Sequence, residues 1–262
     1  MAGRAVNALP TPSNTVTVAA PAKLTLELRI TGVRDDGYHL IDAEMVSLAW
    51  ADTLTIDPEG QGLTADGAFA AGMPVDDNNL VAKALKLAGR SASVHLHKVI
   101  PHGGGLGGGS SDAAAILRWA GFTDVAAAAQ LGADVSFCLV GGRARVRGIG
   151  EIVEPLAFVA MDITLVVPPL AVSTPAAYRA WDELGGPHSD GPNDLEQAAL
   201  MVEPQLAHWR DRIRDAAGVA PTLAGSGATW FLHGHHDLAA ALPEAMVVQT
   251  RTDRQQRAAG GR

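Results

Sequence analysis

A run of glycines directly before an apolar segment constrains this chain most. From Pro101 the sequence reads PHGGGLGGGSSDAAAILRW, with two glycine triplets ahead of an alanine-rich stretch. Glycine lacks a Cβ, so backbone N–H groups in such a loop can approach a ligand closely and adopt positive φ. At a helix N-terminus these groups meet the positive end of the helix dipole. The pattern therefore predicts a phosphate site at the start of a helix over 112–119.

Two familiar phosphate-binding loops do not explain this run. A Walker loop ends in Gly-Lys-Ser/Thr, and no lysine follows these glycines. Gly103, Gly105 and Gly108 satisfy the dinucleotide fingerprint, as any glycine run would. That fingerprint also needs an acidic residue at a strand end about 20 residues further on, where this chain has an alanine-rich helix. A linker or packing turn is disfavoured, since linkers rarely lead straight into an apolar helix.

Composition excludes several classes of protein. Of the 262 residues, 47% are hydrophobic and 18% are charged, which is typical of a globular chain and not of a disordered one. The net charge of −8 argues against nucleic-acid binding, although a basic pocket for one nucleotide is compatible with it. No apolar stretch approaches the roughly 18 residues of a membrane span, so no membrane partner is expected.

The single cysteine and the two termini predict a cytoplasmic protein. Cys138 has no partner for an intrachain disulfide, as expected in a reducing compartment, and its apolar surroundings predict a buried core residue. The first 14 residues lack the apolar core of a secretory signal. Residues 1–14 and 254–262 are interpreted as frayed ends.

Periodicity predicts strands and helices in an irregular order. Strands are predicted over 16–19 with 22–30, 41–50, 53–56, 93–99, 143–153, 163–167 and 229–232. Helices are predicted over 80–88, 112–119, 125–131, 175–184, 194–199 and 203–216. Because these elements do not alternate as in a doubly wound sheet, the fold class is predicted to be α+β, with two lobes that meet near Leu156.

Three motifs in sequence order resemble those of the GHMP kinases. PHGGGLGGGSSDAA at 101–114 resembles their nucleotide loop, PAKLTL at 21–26 their N-terminal motif, and LAGSGA at 223–228 their C-terminal glycine loop. The resemblance implies an N-terminal domain over 1–155 like the second domain of ribosomal protein S5. It also implies a ferredoxin-like C-terminal domain over 156–262, with a tail from about 253 and an active cleft between the domains.

Further stretches resemble one branch of this family, which acts in the non-mevalonate route to isoprenoids. They are 30–39 (ITGVRDDGYH), 77–80 (DNNL), 131–135 (LGADV), 172–174 (VST) with Tyr178, and 193–195 (NDL). The resemblance implies an ATP- and Mg²⁺-dependent kinase that phosphorylates a hydroxyl of a cytidine-diphosphate-linked methylerythritol, as a monomer or weak homodimer. Two alternatives stay open: another GHMP kinase acting on mevalonate-type acids or sugars, and a non-catalytic nucleotide-binding relative.

The resemblance assigns the catalytic roles to Lys23 and Asp134. Asp134 would accept the proton of the substrate hydroxyl, and Lys23 would keep it ionised and stabilise developing charge. Taken alone, Lys23 is typical of a solvated lysine on a strand, and Asp134 of a helix cap.

The remaining assignments concern the two ligands. His39 and Tyr178 are predicted to sandwich the cytosine ring. Thr25 stands where this branch often has asparagine. The predicted substrate-binding residues are Thr25, Tyr38, His39, Tyr178, Gly225, Ser226 and Gly227. The predicted ATP-binding residues are Pro101, His102, Gly103, Gly104, Gly105, Leu106, Gly107, Gly108, Gly109, Ser110 and Ser111, with Asn79 and Lys98, for which a capping or surface role is an equal alternative. No metal ligand is assigned.

Overall fold

The computed structural model describes residues 14–254, so the predicted frayed ends lie almost entirely outside the described residues. The strands are β1 (Val16–Val33), β2 (His39–Asp57), β3 (Gly62–Asp66), β4 (Ser93–His97), β5 (Arg143–Gly148), β6 (Ile152–Pro155), β7 (Asp162–Val167), β8 (Thr222–Leu223), β9 (Trp230–His233) and β10 (Met246–Arg251). The helices are α1 (Leu80–Leu87), α2 (Gly108–Trp119), α3 (Val125–Ala129), α4 (Ala133–Val140), α5 (Thr174–Glu183), α6 (Glu196–Val202) and α7 (Gln205–Ala217).

The strands form two sheets, which confirms the predicted α+β class. In the first sheet the order is β3-β4-β2-β5-β6, and β1 pairs with β2. In the second sheet the order is β10-β7-β9-β8. The two strands predicted over 41–56 are the single strand β2, because Ala51 and Asp52 continue the pairing with β1. This long strand organises the first sheet, since β1, β4 and β5 all pair with it.

Two other predicted elements differ from the structure, and some observed strands were not predicted. The strand predicted over 143–153 is the hairpin β5-β6, because Gly148 and Gly150 turn the chain with φ of 72° and 112°. The helix predicted from Asp112 begins at Gly108, so two glycines of the loop belong to its first turn. Strands β3, β8 and β10 were not predicted; β8 has two residues and β3 is largely exposed, so pairing with neighbours defines them.

Apolar packing joins the two sheets. Leu24 and Leu48 of the first sheet share a buried cluster with Leu165 and Phe231 of the second. The backbone N–H of Asp253 also donates to the carbonyl of Ser47, at 2.8 Å. The sheets separate between Pro155 and Asp162, and the domain boundary at 155 stays a prediction.

Two further expectations concern burial and membranes. Cys138 is buried in α4, as its apolar surroundings predicted, and burial raises the pKa of its thiol to about 12. Among the described helices, none has the length and apolar character needed to cross a membrane.

Candidate active site

A cleft of about 720 Å³ collects most of the predicted site residues. It is bordered by β1, the start of β2, the glycine loop, the N-terminus of α4 and one face of α5. The predicted residues that line it are Lys23, Thr25, Tyr38, His39, the whole of 101–110, Asp134, Tyr178, Gly225 and Ser226. Four predicted residues do not line it: Asn79, Lys98, Ser111 and Gly227.

Lys23 and Asp134 form an ion pair in this cleft. The β1–β2 register shifts between Pro21 and Lys23, and the Lys23 side chain is 6% exposed instead of solvated. Its Nζ lies 3.2 Å from Asp134 Oδ2 and donates to Thr25 Oγ1 at 3.2 Å. Asp134 lies in the first turn of α4, whose N-cap is Gly132, so the capping interpretation is wrong. The Asp134 side chain is 31% exposed, which leaves its carboxylate accessible from the cleft.

The glycine loop leads the chain over the Lys23 side chain into α2. The Lys23 N–H donates to the Leu106 carbonyl at 3.0 Å, so loop and strand are joined beside the ion pair. Gly107, the N-cap of α2, has a φ of 65°, and a Cβ there would lie 2.7 Å from Lys23 Cγ. Because Gly107 has no capping side chain, the N–H groups of the first turn of α2 are available to an anion.

The two serines after the loop have different surroundings. Ser110 lines the cleft. Ser111 is buried, and its hydroxyl donates to the Pro21 carbonyl at 2.6 Å. Ser111 therefore connects α2 to β1 at the first residue of the motif that contains Lys23, and its predicted contact with ATP does not fit this arrangement.

The second glycine loop packs directly on the first. The backbone N–H groups of Ala228 and Thr229 donate to the carbonyls of Gly103 and Gly104, at 3.2 and 3.3 Å. Asn193 also holds this loop, because its Nδ2 donates to the carbonyls of Leu223 and Gly225 at 2.9 and 2.7 Å. A Cβ placed on Gly225 would lie 3.6 Å from Lys23 Nζ, which locates this loop beside the ion pair.

Gly227 does not face the cleft. A Cβ at this position would lie 3.3 Å from a methyl carbon of Leu223 and 3.5 Å from one of Val172, so Gly227 points into apolar packing. The predicted substrate contact of Gly227 does not fit this orientation. Ser226 does line the cleft, where its Oγ lies 2.8 Å from Thr174 Oγ1.

His39 and Tyr178 lie at an aromatic end of the cleft. Their ring centroids are 4.7 Å apart, which leaves no room for a base between the two rings in this conformation, so the sandwich stays a prediction that requires the rings to separate. His39 Nε2 lies 2.8 Å from Asp182 Oδ1, and Trp181 packs edge-on against the His39 ring at 5.5 Å. Burial, with a smaller effect of the Asp134 charge, raises the pKa of Tyr178 above its usual range, which keeps the phenol neutral.

Asn79 and Lys98 have structural partners outside the cleft. Asn79 caps α1: its Oδ1 accepts from the Val81 N–H at 2.8 Å, and its Nδ2 donates to the Pro74 carbonyl at 2.7 Å. Lys98 is fully buried between the carboxylates of Asp52 and Asp112. The predicted adenine contacts of Asn79 and Lys98 therefore do not fit the structure.

Sequence reasoning missed part of the α5 face. Thr174, Arg179 and Asp182 line the cleft together with Tyr178. Since Thr174, Tyr178 and Asp182 follow at spacings of four, they share one side of the helix, and this spacing was the available signal.

Comparisons with known proteins agree with this geometry. The family model "GHMP kinases N terminal domain" matches residues 79–142, which include the glycine loop and Asp134. A 4-diphosphocytidyl-2-C-methyl-D-erythritol kinase of Paracoccus denitrificans (strain Pd 1222) is 38% identical over 252 residues, covering 89% of this chain and 90% of the relative. The chain is a GHMP kinase of the 4-diphosphocytidyl-2-C-methyl-D-erythritol kinase family. It is therefore an ATP-dependent kinase, as the three motifs predicted.

Solved structures place the kinase in the same fold. A crystal structure of a 4-(cytidine 5'-diphospho)-2C-methyl-D-erythritol kinase superposes with a TM-score of 0.75 at 31% identity, covering 90% of this chain and 99% of that chain. The L. major mevalonate kinase has a TM-score of 0.64 at 14% identity, covering 94% of this chain and 98% of that chain, and shows the fold alone. The GHMP kinase fold is confirmed over nearly the full length.

Proposed function

We propose that this kinase transfers the γ-phosphoryl of ATP to a hydroxyl of 4-diphosphocytidyl-2-C-methyl-D-erythritol, giving the 2-phosphate and ADP. The observation that carries the proposal is the Lys23–Asp134 pair, 3.2 Å apart, between the glycine loop and the aromatic end of one cleft. The identity of 38% over 252 residues to a relative named for this activity supports the acceptor.

The ion pair supplies the base that accepts the proton of the substrate hydroxyl. The substrate hydroxyl oxygen forms a bond to the γ-phosphorus while the bond from that phosphorus to the bridging oxygen of ADP breaks. Asp134, accessible from the cleft, accepts the hydroxyl proton. Lys23 orients the carboxylate and offsets negative charge near the reacting oxygens, and Thr25 fixes the lysine through its hydroxyl.

The glycine loop is the phosphate site in this proposal. A Cβ at Gly107 would meet the Lys23 stem at 2.7 Å, so the backbone there lies closer to the reacting groups than a side chain would permit. The free N–H groups of α2 face anionic oxygens of ATP. Magnesium would be held by the ATP phosphates with the hydroxyl oxygen of Ser110, which lines the same cleft, and it would neutralise phosphate charge when bound.

The cytidine would bind at the aromatic end of the cleft. A base can stack on the cleft-facing side of the joined His39 and Tyr178 rings, or the rings can separate around it. Asp182 holds the His39 ring through Nε2, which fixes its orientation. Arg179 lines the cleft from the same helix as Tyr178 and supplies positive charge for the diphosphate of the acceptor.

An acceptor panel tests this proposal. We expect ADP release from Mg-ATP with 4-diphosphocytidyl-2-C-methyl-D-erythritol and none above background with mevalonate, homoserine or galactose. Omitting Mg²⁺ and adding EDTA should abolish turnover. Equal turnover with one of the control acceptors would contradict the assigned acceptor while leaving the kinase activity intact.

His39→Ala and Tyr178→Leu are expected to weaken binding of the cytidyl acceptor. Stacking of a base on an aromatic side chain is worth about 1–3 kcal/mol, so the acceptor KM should rise roughly 5- to 150-fold. The KM for ATP serves as the internal control, because neither ring belongs to the glycine loop that is proposed to bind the ATP phosphates. An unchanged acceptor KM in both variants would indicate that the cytidine binds elsewhere in the cleft.

A further inference from the structure

A buried ionic cluster of Asp52, Lys98 and Asp112 connects the two ends of the glycine loop. Lys98 directly follows β4 and lies three positions before Pro101, where the loop begins. Asp112 lies in α2, which follows the loop, and Asp52 belongs to β2. The three side chains are at most 3% exposed, and none of them lines the cleft.

Asp52 holds the segment that leads into the loop. Its Oδ1 accepts from the backbone N–H groups of Val99 and Ile100, at 2.6 and 2.9 Å. Its Oδ2 accepts from the Lys98 ammonium. The last residues before Pro101 are thereby bound to the central strand of the first sheet by three hydrogen bonds.

Lys98 extends this connection to the helix after the loop. Its Nζ donates to Asp112 Oδ2 at 2.6 Å. A Cβ placed on Gly108, the first residue of α2, would lie 3.4 Å from Nζ and 3.0 Å from a methyl carbon of Ile100. The ammonium therefore lies directly beneath the helix N-terminus toward which the loop leads.

The electrostatics of the cluster argue for a role beyond stability. Burying two carboxylates and one ammonium costs desolvation energy, and well-packed apolar side chains in such places are often equally or more stabilising. Asp112 Oδ1 is buried without a hydrogen-bond partner among residues 14–254. Burial, together with the Asp52 charge, raises the pKa of Asp112 to about 7 in spite of Lys98. When Asp112 is protonated, the cluster carries no net charge beneath a site for phosphates.

We propose that Asp52, Lys98 and Asp112 are positioning residues for ATP, because their ion pairs hold both ends of the glycine loop in the spacing that phosphate binding requires. This inference rests on the proposed function, in which the loop binds the ATP phosphates. The positioning residues act through the loop backbone and touch neither substrate.

Substitutions at Lys98 and Asp112 separate this role from general stability. A displaced loop would lose charge-assisted hydrogen bonds from its N–H groups to the ATP phosphates, so Lys98→Met and Asp112→Ala should raise the Kd and KM of ATP roughly 10- to 100-fold. Asp112→Asn keeps an oxygen for the ammonium and should remain closer to wild type. The acceptor KM should change less than about threefold, whereas a general loss of structure would raise the KM values of both substrates. Leu54→Ala, a buried core variant on β2, is the matched control for destabilisation.

The comparison has distinct outcomes. Higher ATP Kd in Lys98→Met and Asp112→Ala than in Leu54→Ala, with partial rescue in Asp112→Asn, supports the positioning role. An ATP Kd in both Asp112 variants equal to that of Leu54→Ala overturns it, and that comparison stands even if Lys98→Met does not fold. A wild-type chain that binds no ATP would contradict the proposed function itself, whereas normal wild-type binding with unshifted Asp112 variants contradicts only this inference.

Discussion

Asp134→Asn is expected to lower kcat by roughly 100- to 10,000-fold, the range that general base catalysis contributes. The amide keeps the shape of the carboxylate and can still lie beside Lys23, but it cannot accept the hydroxyl proton. The KM values of ATP and of the acceptor should change little, because the lost interaction belongs to the transition state. Steady-state ADP release at saturating concentrations of both substrates measures the effect.

Asp182→Asn is the matched control for this variant. Asp182 is a second carboxylate that lines the cleft, but its ion-pair partner is His39 instead of Lys23. We expect Asp182→Asn to raise the acceptor KM and to retain most of kcat. Since Asp134 is partly exposed, its substitution should alter the free energy of unfolding by at most about 1 kcal/mol. If Asp134→Asn kept kcat within tenfold of wild type, Asp134 would not be the base, and catalysis would depend on positioning and electrostatic stabilisation alone.

Gly105→Ala is expected to destabilise the kinase by about 2–5 kcal/mol, because it combines backbone strain with overpacking. Gly105 has a φ of 76°, a region that side chains rarely adopt. A Cβ there would also overlap the carbonyl oxygen of Ala224 and lie 3.0 Å from that of Gly227. The two glycine loops would have to separate, so the KM for ATP should rise as well. Urea unfolding and steady-state kinetics measure the two effects.

Gly121→Ala separates the two causes of this loss. Gly121 has a φ of 74°, nearly that of Gly105, but a Cβ there would meet no atom within 4 Å. Its substitution should therefore lower the free energy of unfolding only by the backbone strain, about 1–2 kcal/mol, and should leave the KM for ATP unchanged. Equal losses of stability in Gly105→Ala and Gly121→Ala would show that the second glycine loop moves aside without cost to accommodate the new methyl group. Contact between the two loops would then not set the geometry of the phosphate site.

Local patterns were sufficient for the elements whose causes are local. The glycine run predicted the start of a helix, because the freedom of the glycine backbone and the helix propensity of the alanines that follow both depend only on neighbouring residues. A helix cap is also a local interaction, and the cap predicted at Asn79 is present at the start of α1. The strand predicted over 143–153 was wrong, since alternation alone does not show that Gly148 and Gly150 turn the chain back. Strand β3 depends on its pairing with β4, which is distant in sequence, and β8 has only 2 residues, too few to show an alternating pattern.

For the site, the amino-acid sequence by itself determined which motifs exist, that the chain is a GHMP kinase and that Lys23 and Asp134 are candidates. Only the tertiary structure decided how these residues meet. The bulge in β1 and the start of α4 bring the ammonium and carboxylate to 3.2 Å, although they are far apart in the chain. The tertiary structure also placed Lys98 between two buried carboxylates and Gly227 against Leu223, because side-chain direction depends on packing. Residue type limits the chemistry a side chain can perform, and long-range packing selects which partner it meets.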